Sequence, residues 1–172
     1  MSDAERQLES FLDKYSPEIA RLARAIRARM RALYPSALEL VYDNYNALAI
    51  GYSPTEKTSE GIFSIALFPR WVSLFFLQAR GLPDPEKLLK GSGNVARHVV
   101  LPSASALDDP PLRKLMAAAV AGAVTPFPGT GGHRLIIKAV STKQRPRRPA
   151  VPQKAASQAK IARPRRTVSA RG

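Results

Sequence analysis

Apolar residues in the first 33 positions recur every three or four residues, which is the period of an amphipathic helix. Ser2 and Glu5 have the spacing of a capping box, so the first helix is expected to begin there. Ser16 followed by Pro17 predicts a second helix, because serine caps helix N-termini and proline suits the first helical position. This helix is expected to end before Pro35.

From residue 38 the pattern changes to runs rich in Val, Ile, Leu and aromatic residues, which favour strands. Two aspartates followed by two prolines, at 108–111, predict the start of a third helix. This order of elements predicts an α+β domain, with helices packed on a mostly antiparallel sheet. The expected strands are 38–52, 62–68, 71–78, 95–101 and 133–140.

Charge is distributed unevenly along the chain. Residues 1–109 contain 13 acidic and 13 basic side chains, whereas residues 110–172 contain 14 Lys and Arg and no Asp or Glu. The second part therefore carries the whole net charge of +14. Ten of these cations follow Ser141, where apolar periodicity ends and Pro, Arg, Lys, Ala and Gln dominate. The composition predicts a folded domain over residues 1–140 and a disordered basic tail over residues 141–172.

A polycationic tail of this kind predicts a nucleic-acid partner, bound through phosphates without sequence preference and with steep salt dependence. A solubilising extension, an anionic lipid surface and the ribosome are the alternatives. No aromatic residue follows Phe127, so the tail itself has no side chain that could stack on bases. The residues expected to contact phosphates are Lys143, Arg145, Arg147, Arg148, Arg163, Arg165 and Arg166.

Four segments of the chain resemble the YdhG-like family of bacterial domains, most of which have no assigned function. They are 41–48, 64–76, 91–93 with Arg97 and His98, and 107–110 before a helix. The resemblance covers about residues 15–123 and implies helices packed on an antiparallel sheet. Some members resemble frataxin-type iron chaperones, so the resemblance implies intracellular iron handling as the alternative function.

Iron handling requires exposed carboxylates, because iron carried by a delivery protein prefers oxygen ligands. Glu5, Glu9 and Asp13 form such a stripe on the first helix, although a solvated helix face would have the same spacing. No Asp or Glu lies at ligand spacing from His98 or His133. The sequence therefore predicts no metal site and no cofactor.

Catalytic motifs are absent from the sequence, including the nucleophile elbow, the phosphate-binding loop and the HExxH zinc motif. We therefore predict no catalytic residue and a non-enzymatic protein, and an enzyme with a pocket around Asp43 and Asn44 stays as a third alternative that no motif supports. Polar side chains on both faces of the 38–52 strand indicate either a pocket wall or an edge strand. The pocket interpretation predicts a site formed by Tyr42, Asp43, Asn44, Asn46, Arg97 and His98.

Arginines also form a stripe on the second helix. Arg24, Arg27 and Arg31 are predicted either to bind phosphates or to form an ordinary solvated face. The chain has no cysteine, its N-terminus is acidic, and no apolar run approaches the ~20 residues of a membrane helix. We therefore expect a cytoplasmic protein without a membrane span.

Overall fold

The computed structural model describes residues 1–150, which form three α-helices and a six-stranded sheet. The α+β class predicted from the sequence is confirmed. None of the helices in this described part is long and apolar enough to cross a membrane. The helices are α1 (Asp3–Leu12), α2 (Pro17–Leu33) and α3 (Pro110–Ala121). The strands are β1 (Leu38–Asp43), β2 (Leu48–Ser53), β3 (Phe63–Leu67), β4 (Val72–Phe76), β5 (Arg97–Leu101) and β6 (Arg134–Val140).

The two helix starts predicted at serines are confirmed by their capping hydrogen bonds. The Ser2 hydroxyl accepts a hydrogen bond of 3.2 Å from the backbone N–H of Glu5. The Ser16 hydroxyl accepts one of 3.3 Å from Ile19, with Pro17 at the first helical position. Each cap satisfies a backbone donor that the helix itself leaves without a partner.

The sheet has the strand order β5-β4-β3-β2-β1-β6. Consecutive strands from β1 to β5 pair antiparallel, whereas β6 pairs parallel with β1. The last strand of the sequence therefore lies beside the first one. This pairing brings the C-terminal region of the chain against the first two helices.

One predicted strand was wrong. The region 38–52 is two strands, β1 and β2, joined by a tight loop in which Asn44 N–H donates to the carbonyl of Ala47 at 3.0 Å. Asn and Asp favour turns because their short side chains can replace backbone hydrogen-bond partners. The polar centre of the predicted strand is therefore a hairpin loop, which accounts for its polar side chains.

The hydrophobic core lies between one face of the sheet and the helices. Along β3, Phe63, Ile65 and Leu67 are fully buried and belong to the same cluster as Leu8 of α1 and Ile26 of α2. Side chains alternate between the two faces of a strand, so every second residue points to the other face. That other face carries small residues, including Gly51, Ser64, Ala66 and Ser73.

One row of paired residues marks the end of the sheet from which the C-terminal region leaves. We call it the tail end. The row is Leu101, Val72, Leu67, Leu48, Asp43 and Val140. Tyr15, just after α1, fixes the helices to this end, because its hydroxyl donates to the carbonyl of Leu67 and accepts from Leu48 N–H, both at 3.0 Å. Burial raises the pKa of Tyr15, so the hydroxyl stays protonated and able to donate.

Candidate nucleic-acid interface at the tail end of the sheet

The chain after β6 continues along the β1–β2 loop. Ser141 N–H donates to the carbonyl of Asp43 at 2.8 Å, and Arg145 N–H donates to that of Tyr45 at 2.9 Å. The Gln144 side chain adds a hydrogen bond of 3.2 Å to the Asp43 carbonyl. The predicted domain boundary at Ser141 therefore differs from the structure, in which the folded part extends several residues further.

A buried ion pair holds this segment in place. Arg147 is 5% exposed, and its Nη2 donates to Oδ1 of the fully buried Asp43 at 2.8 Å. Lys14 Nζ donates to the other carboxylate oxygen at 2.7 Å. Burial acts to raise the pKa of Asp43, but hydrogen bonds from Lys14, Gln144 and Arg147 outweigh it and leave that pKa lowered. The carboxylate is therefore ionised at neutral pH and shared between two cations.

The prediction that Arg147 contacts nucleic acid is wrong, because this residue is buried. Its guanidinium is used inside the protein, where it also donates to the carbonyls of Asn44 and Tyr45, so it is not accessible to a phosphate. Its role is to anchor the segment. Lys143, Arg145 and Arg148 are exposed, and their contact with phosphates stays a prediction. Arg163, Arg165 and Arg166 lie outside the described residues.

The exposed cations are presented on the folded surface. The Arg148 guanidinium donates to the carbonyls of Lys14 and Asp13, at 3.3 and 3.4 Å. Arg145 lies over the ring of Tyr45, with its guanidinium carbon 5.6 Å from the ring centroid. Neither arginine forms an ion pair with a carboxylate within residues 1–150. Both charges therefore remain available to an external anion.

Two aromatic side chains are exposed at the same end of the sheet. Tyr45, in the β1–β2 loop, is 50% exposed, and Trp71, in the β3–β4 turn, is 43% exposed. Trp71 stacks on Phe68 with 4.9 Å between ring centroids. The sequence shows no aromatic residue within the basic region, and only the fold places these rings near it. The sequence pattern indicates neither ring, because Tyr45 and Trp71 fall inside the predicted strands 38–52 and 71–78.

A second buried charge cluster lies between α1, α2 and β1. Arg27 is 7% exposed and donates to both carboxylate oxygens of Glu39 at 2.6–3.0 Å. It also donates to both oxygens of Glu5, at 2.8 and 3.0 Å. Glu39 is fully buried and accepts a further hydrogen bond of 3.2 Å from the Tyr52 hydroxyl. One guanidinium is therefore shared by two carboxylates and offsets the charge of one of them.

The pKa values of both carboxyls follow from these contacts. The hydrogen bonds from Arg27 lower the pKa of Glu5. Burial opposes ionisation of Glu39, yet the nearby His133 imidazole and the hydrogen bonds from Arg27 outweigh it, so the pKa of Glu39 is also lowered. Both groups are therefore ionised at neutral pH.

His133 joins this cluster from the start of β6. Its Nε2 lies 3.2 Å from Oε2 of Glu39 and 3.9 Å from Oε1 of Glu5. The ligand atoms of the three residues all lie within 4.8 Å of one another. The expectation that no carboxylate lies at ligand spacing from His133 was therefore wrong, because the β1–β6 pairing could not be foreseen.

The acidic stripe of α1 and the arginine stripe of α2 pair with each other. Arg24 Nη2 lies 2.7 Å from Glu9 and 2.9 Å from Asp13. Arg27 binds Glu5, the third member of the acidic stripe. The carboxylates expected for iron and two of the arginines expected for phosphates are therefore paired with each other, Arg27 in a largely buried contact and Arg24 at the surface.

The six residues of the predicted pocket are not brought together. Tyr42 and Asn44 line a cavity of about 230 Å³ on the sheet face opposite the helices, and the Tyr42 hydroxyl hydrogen-bonds Thr58. Asp43 points to the helix face, where it pairs with Lys14. Asn46 is exposed in the β1–β2 loop.

The remaining two predicted pocket residues lie on β5, with three strands between them and β1. The His98 ring packs on Phe75 with 5.0 Å between centroids, and Arg97 Nε donates to the carbonyl of Gly93 at 3.1 Å. No shared pocket forms because neighbouring residues of a strand point to opposite faces and the strands are not adjacent.

Comparisons of this chain with protein-family models, curated proteins and solved structures find no match. The resemblance to the YdhG-like family therefore stays a prediction from the quoted segments.

Proposed function

We propose that this protein is a non-enzymatic binding module that contacts nucleic acid without sequence preference through its basic C-terminal region. One observation carries the proposal. The buried Arg147–Asp43 pair holds the exposed cations Lys143, Arg145 and Arg148 on the surface of the folded domain. Six further Lys and Arg follow in residues 151–172, and no acidic residue follows Asp109.

Fixed cations suit phosphate binding for a physical reason. A phosphate contact releases condensed counterions from the nucleic acid, and this entropy gain favours association. An unstructured basic segment must lose conformational freedom when it binds, whereas Arg145 and Arg148 are already held by hydrogen bonds and ring contact. The anchored segment is therefore expected to contribute more per charge than a free chain would.

We further propose that the folded part is a YdhG-like domain located in the cytoplasm. Helices packed on a mostly antiparallel sheet support the family proposal. A nucleic-acid partner and a chain without cysteine agree with the location.

Neutralising the anchored cations should weaken binding and flatten its salt dependence. We expect the triple variant Lys143→Gln, Arg145→Gln, Arg148→Gln to lower the slope of log affinity against log salt by about two to three, at roughly 0.9 per lost duplex phosphate contact. Arg147 is kept, because removing it would release the segment. The measurement is fluorescence anisotropy with a labelled duplex between 50 and 200 mM salt.

A matched control neutralises three exposed cations elsewhere, as Arg80→Gln, Lys90→Gln, Lys114→Gln. This control changes net charge by the same amount and should retain most of the slope. A chain ending at Ala150 lacks the six distal cations and should bind with intermediate affinity. Equal slopes of log affinity against log salt for the two triple variants would contradict the proposal. Undiminished binding by both the chain ending at Ala150 and the Lys143, Arg145, Arg148 variant would contradict it as well.

Iron handling is the alternative function, and one observation favours it. Glu5 converges with Glu39 and His133 at the spacing of metal ligands. A bound cation would compete with Arg27, which already bridges the two carboxylates. Iron binding would therefore require this guanidinium to move.

Calorimetric titration with ferrous iron under anaerobic conditions tests the alternative. If the cluster binds iron, His133→Gln should weaken binding at least tenfold, while Glu9→Gln with Asp13→Asn should leave it unchanged. If the acidic stripe binds iron, the order of effects is reversed. Absence of binding heat with the unaltered protein rejects iron handling by either group.

A further inference from the structure

We infer that the nucleic acid bound at the tail end is single-stranded, with bases stacked on Tyr45 and Trp71 and phosphates held by Lys143, Arg145 and Arg148. The inference rests on the proposed function and adds the substrate class. It assigns a role to two exposed aromatic side chains that the phosphate contacts alone do not use.

The exposure of the two rings is the first argument. Tyr45 and Trp71 are the large aromatic side chains that the described residues expose most, at 50% and 43%. The other ten of the twelve aromatic residues are buried or partly covered. Phe68 packs on Trp71 and Arg145 on Tyr45, so each ring has a fixed neighbour and keeps an accessible part. A fixed, half-exposed ring is a suitable stacking platform.

The position of the rings is the second argument. Both lie in hairpin loops at the tail end, one following β1 and the other preceding β4. Three strand intervals separate β1 from β4, which places the loops roughly 14 Å apart at about 4.8 Å per interval. A stacked strand rises about 3.4 Å per nucleotide, so about four nucleotides cover this distance. A short single strand can therefore reach both rings.

The charge around the rings is the third argument. Lys143, Arg145 and Arg148 are exposed there, and Arg70 is exposed in the turn next to Trp71. Asp43, at the centre of this region, is fully buried and offset by two cations. Exposed cations and aromatic rings at one end of the sheet suit the phosphates and bases of a single strand. A duplex keeps its bases inside the stack, so it can use the cations but not the rings.

The unaltered full-length protein provides a direct test, because Trp71 is its only tryptophan. We expect a twelve-residue oligothymidine to quench the tryptophan fluorescence on binding, by about half or more. A duplex of the same length, and heparin as a polyanion without bases, should bind with little quenching. Equal fluorescence changes with all three ligands would overturn the inference.

Two single variants make the test quantitative. Tyr45→Leu and Trp71→Leu should each weaken oligothymidine binding about tenfold, within the range measured when one stacking ring is removed. Heparin and duplex affinity should change less than twofold, and an unchanged far-UV circular dichroism spectrum shows that the variants are folded. Unchanged oligothymidine affinity in both variants would overturn the single-strand inference and leave the phosphate proposal intact. Failure of the unaltered protein to bind any of the three ligands would reject both.

Discussion

Replacing Arg27 by methionine is expected to lower the free energy of unfolding by about 3–5 kcal/mol, the usual cost of removing one partner from a buried ion pair. Glu39 is fully buried and receives hydrogen bonds from two nitrogens of this guanidinium. Methionine fills similar space but leaves the carboxylate without its cation. Urea denaturation at pH 7 measures the effect.

The matched control is Arg24→Met, one helical turn earlier on α2. Arg24 pairs with Glu9 and Asp13, but its side chain is 41% exposed, so water screens these pairs. Such exposed pairs contribute about 0.2–1 kcal/mol. A loss in Arg27→Met no larger than that of the control would contradict the importance assigned to the buried cluster.

Acidification should change the free energy of unfolding of the unaltered protein and that of Arg27→Met differently. The pKa of Glu39 is lowered in the folded protein, so its contribution to stability is present above its unfolded pKa of about 4.5. That contribution is lost as pH falls through the lower folded value. In Arg27→Met, burial without the guanidinium should raise this pKa, and protonation then relieves the buried charge. The stability difference between the two proteins should therefore begin to shrink above pH 4.5, as Glu39 of the variant takes up its proton, and shrink further as pH falls through the folded pKa of Glu39 in the unaltered protein.

Replacing Asp43 by asparagine is expected to have the second largest effect, a loss of about 2–3 kcal/mol. The neutral amide keeps the shape of the carboxylate but leaves Lys14 and Arg147 without a counter-charge at the tail end. The value lies below the full cost of a broken buried pair because Lys14 is 39% exposed and can turn towards water. Urea denaturation again measures the loss.

Release of the anchored segment is the specific signature of this variant. Trypsin should cleave after Lys143 and Arg147 several-fold faster in Asp43→Asn than in the unaltered protein, because the segment is no longer held along the β1–β2 loop. Asp13→Asn is the control, since Asp13 forms an exposed pair at the same end and its side chain is 72% exposed. Unchanged cleavage in Asp43→Asn would show that hydrogen bonds of the backbone alone hold the segment.

Helices were the easiest elements to predict, since their caps and periodicity are local. The serines at positions 2 and 16 cap the helices as expected, because a cap needs only a hydroxyl within three residues of a free N–H. The strand predicted at 38–52 failed for the opposite reason. Apolar residues precede and follow the β1–β2 loop, and the loop itself contains no Gly or Pro. The sequence therefore lacked the usual signal for the turn at Asn44.

The candidate sites were harder to predict than the helices, because each site joins residues that are far apart in the sequence. His133 reaches Glu39 through the parallel β1–β6 pairing, which no local pattern indicates. The two helix stripes were visible as separate patterns, but their mutual pairing depends on how α1 and α2 pack. Side-chain periodicity predicts which face a residue occupies, and it does not predict the partner across that face.

By itself, the sequence determined that all of the net positive charge lies beyond residue 109, because charge follows from composition alone. Only the tertiary structure decided which of these cations can meet a ligand. Arg147 is buried on Asp43, 104 residues earlier in the chain, whereas Arg145 and Arg148 are exposed beside it. The physical reason is that burial and pairing depend on contacts between distant segments, which only the β1–β6 pairing brings together.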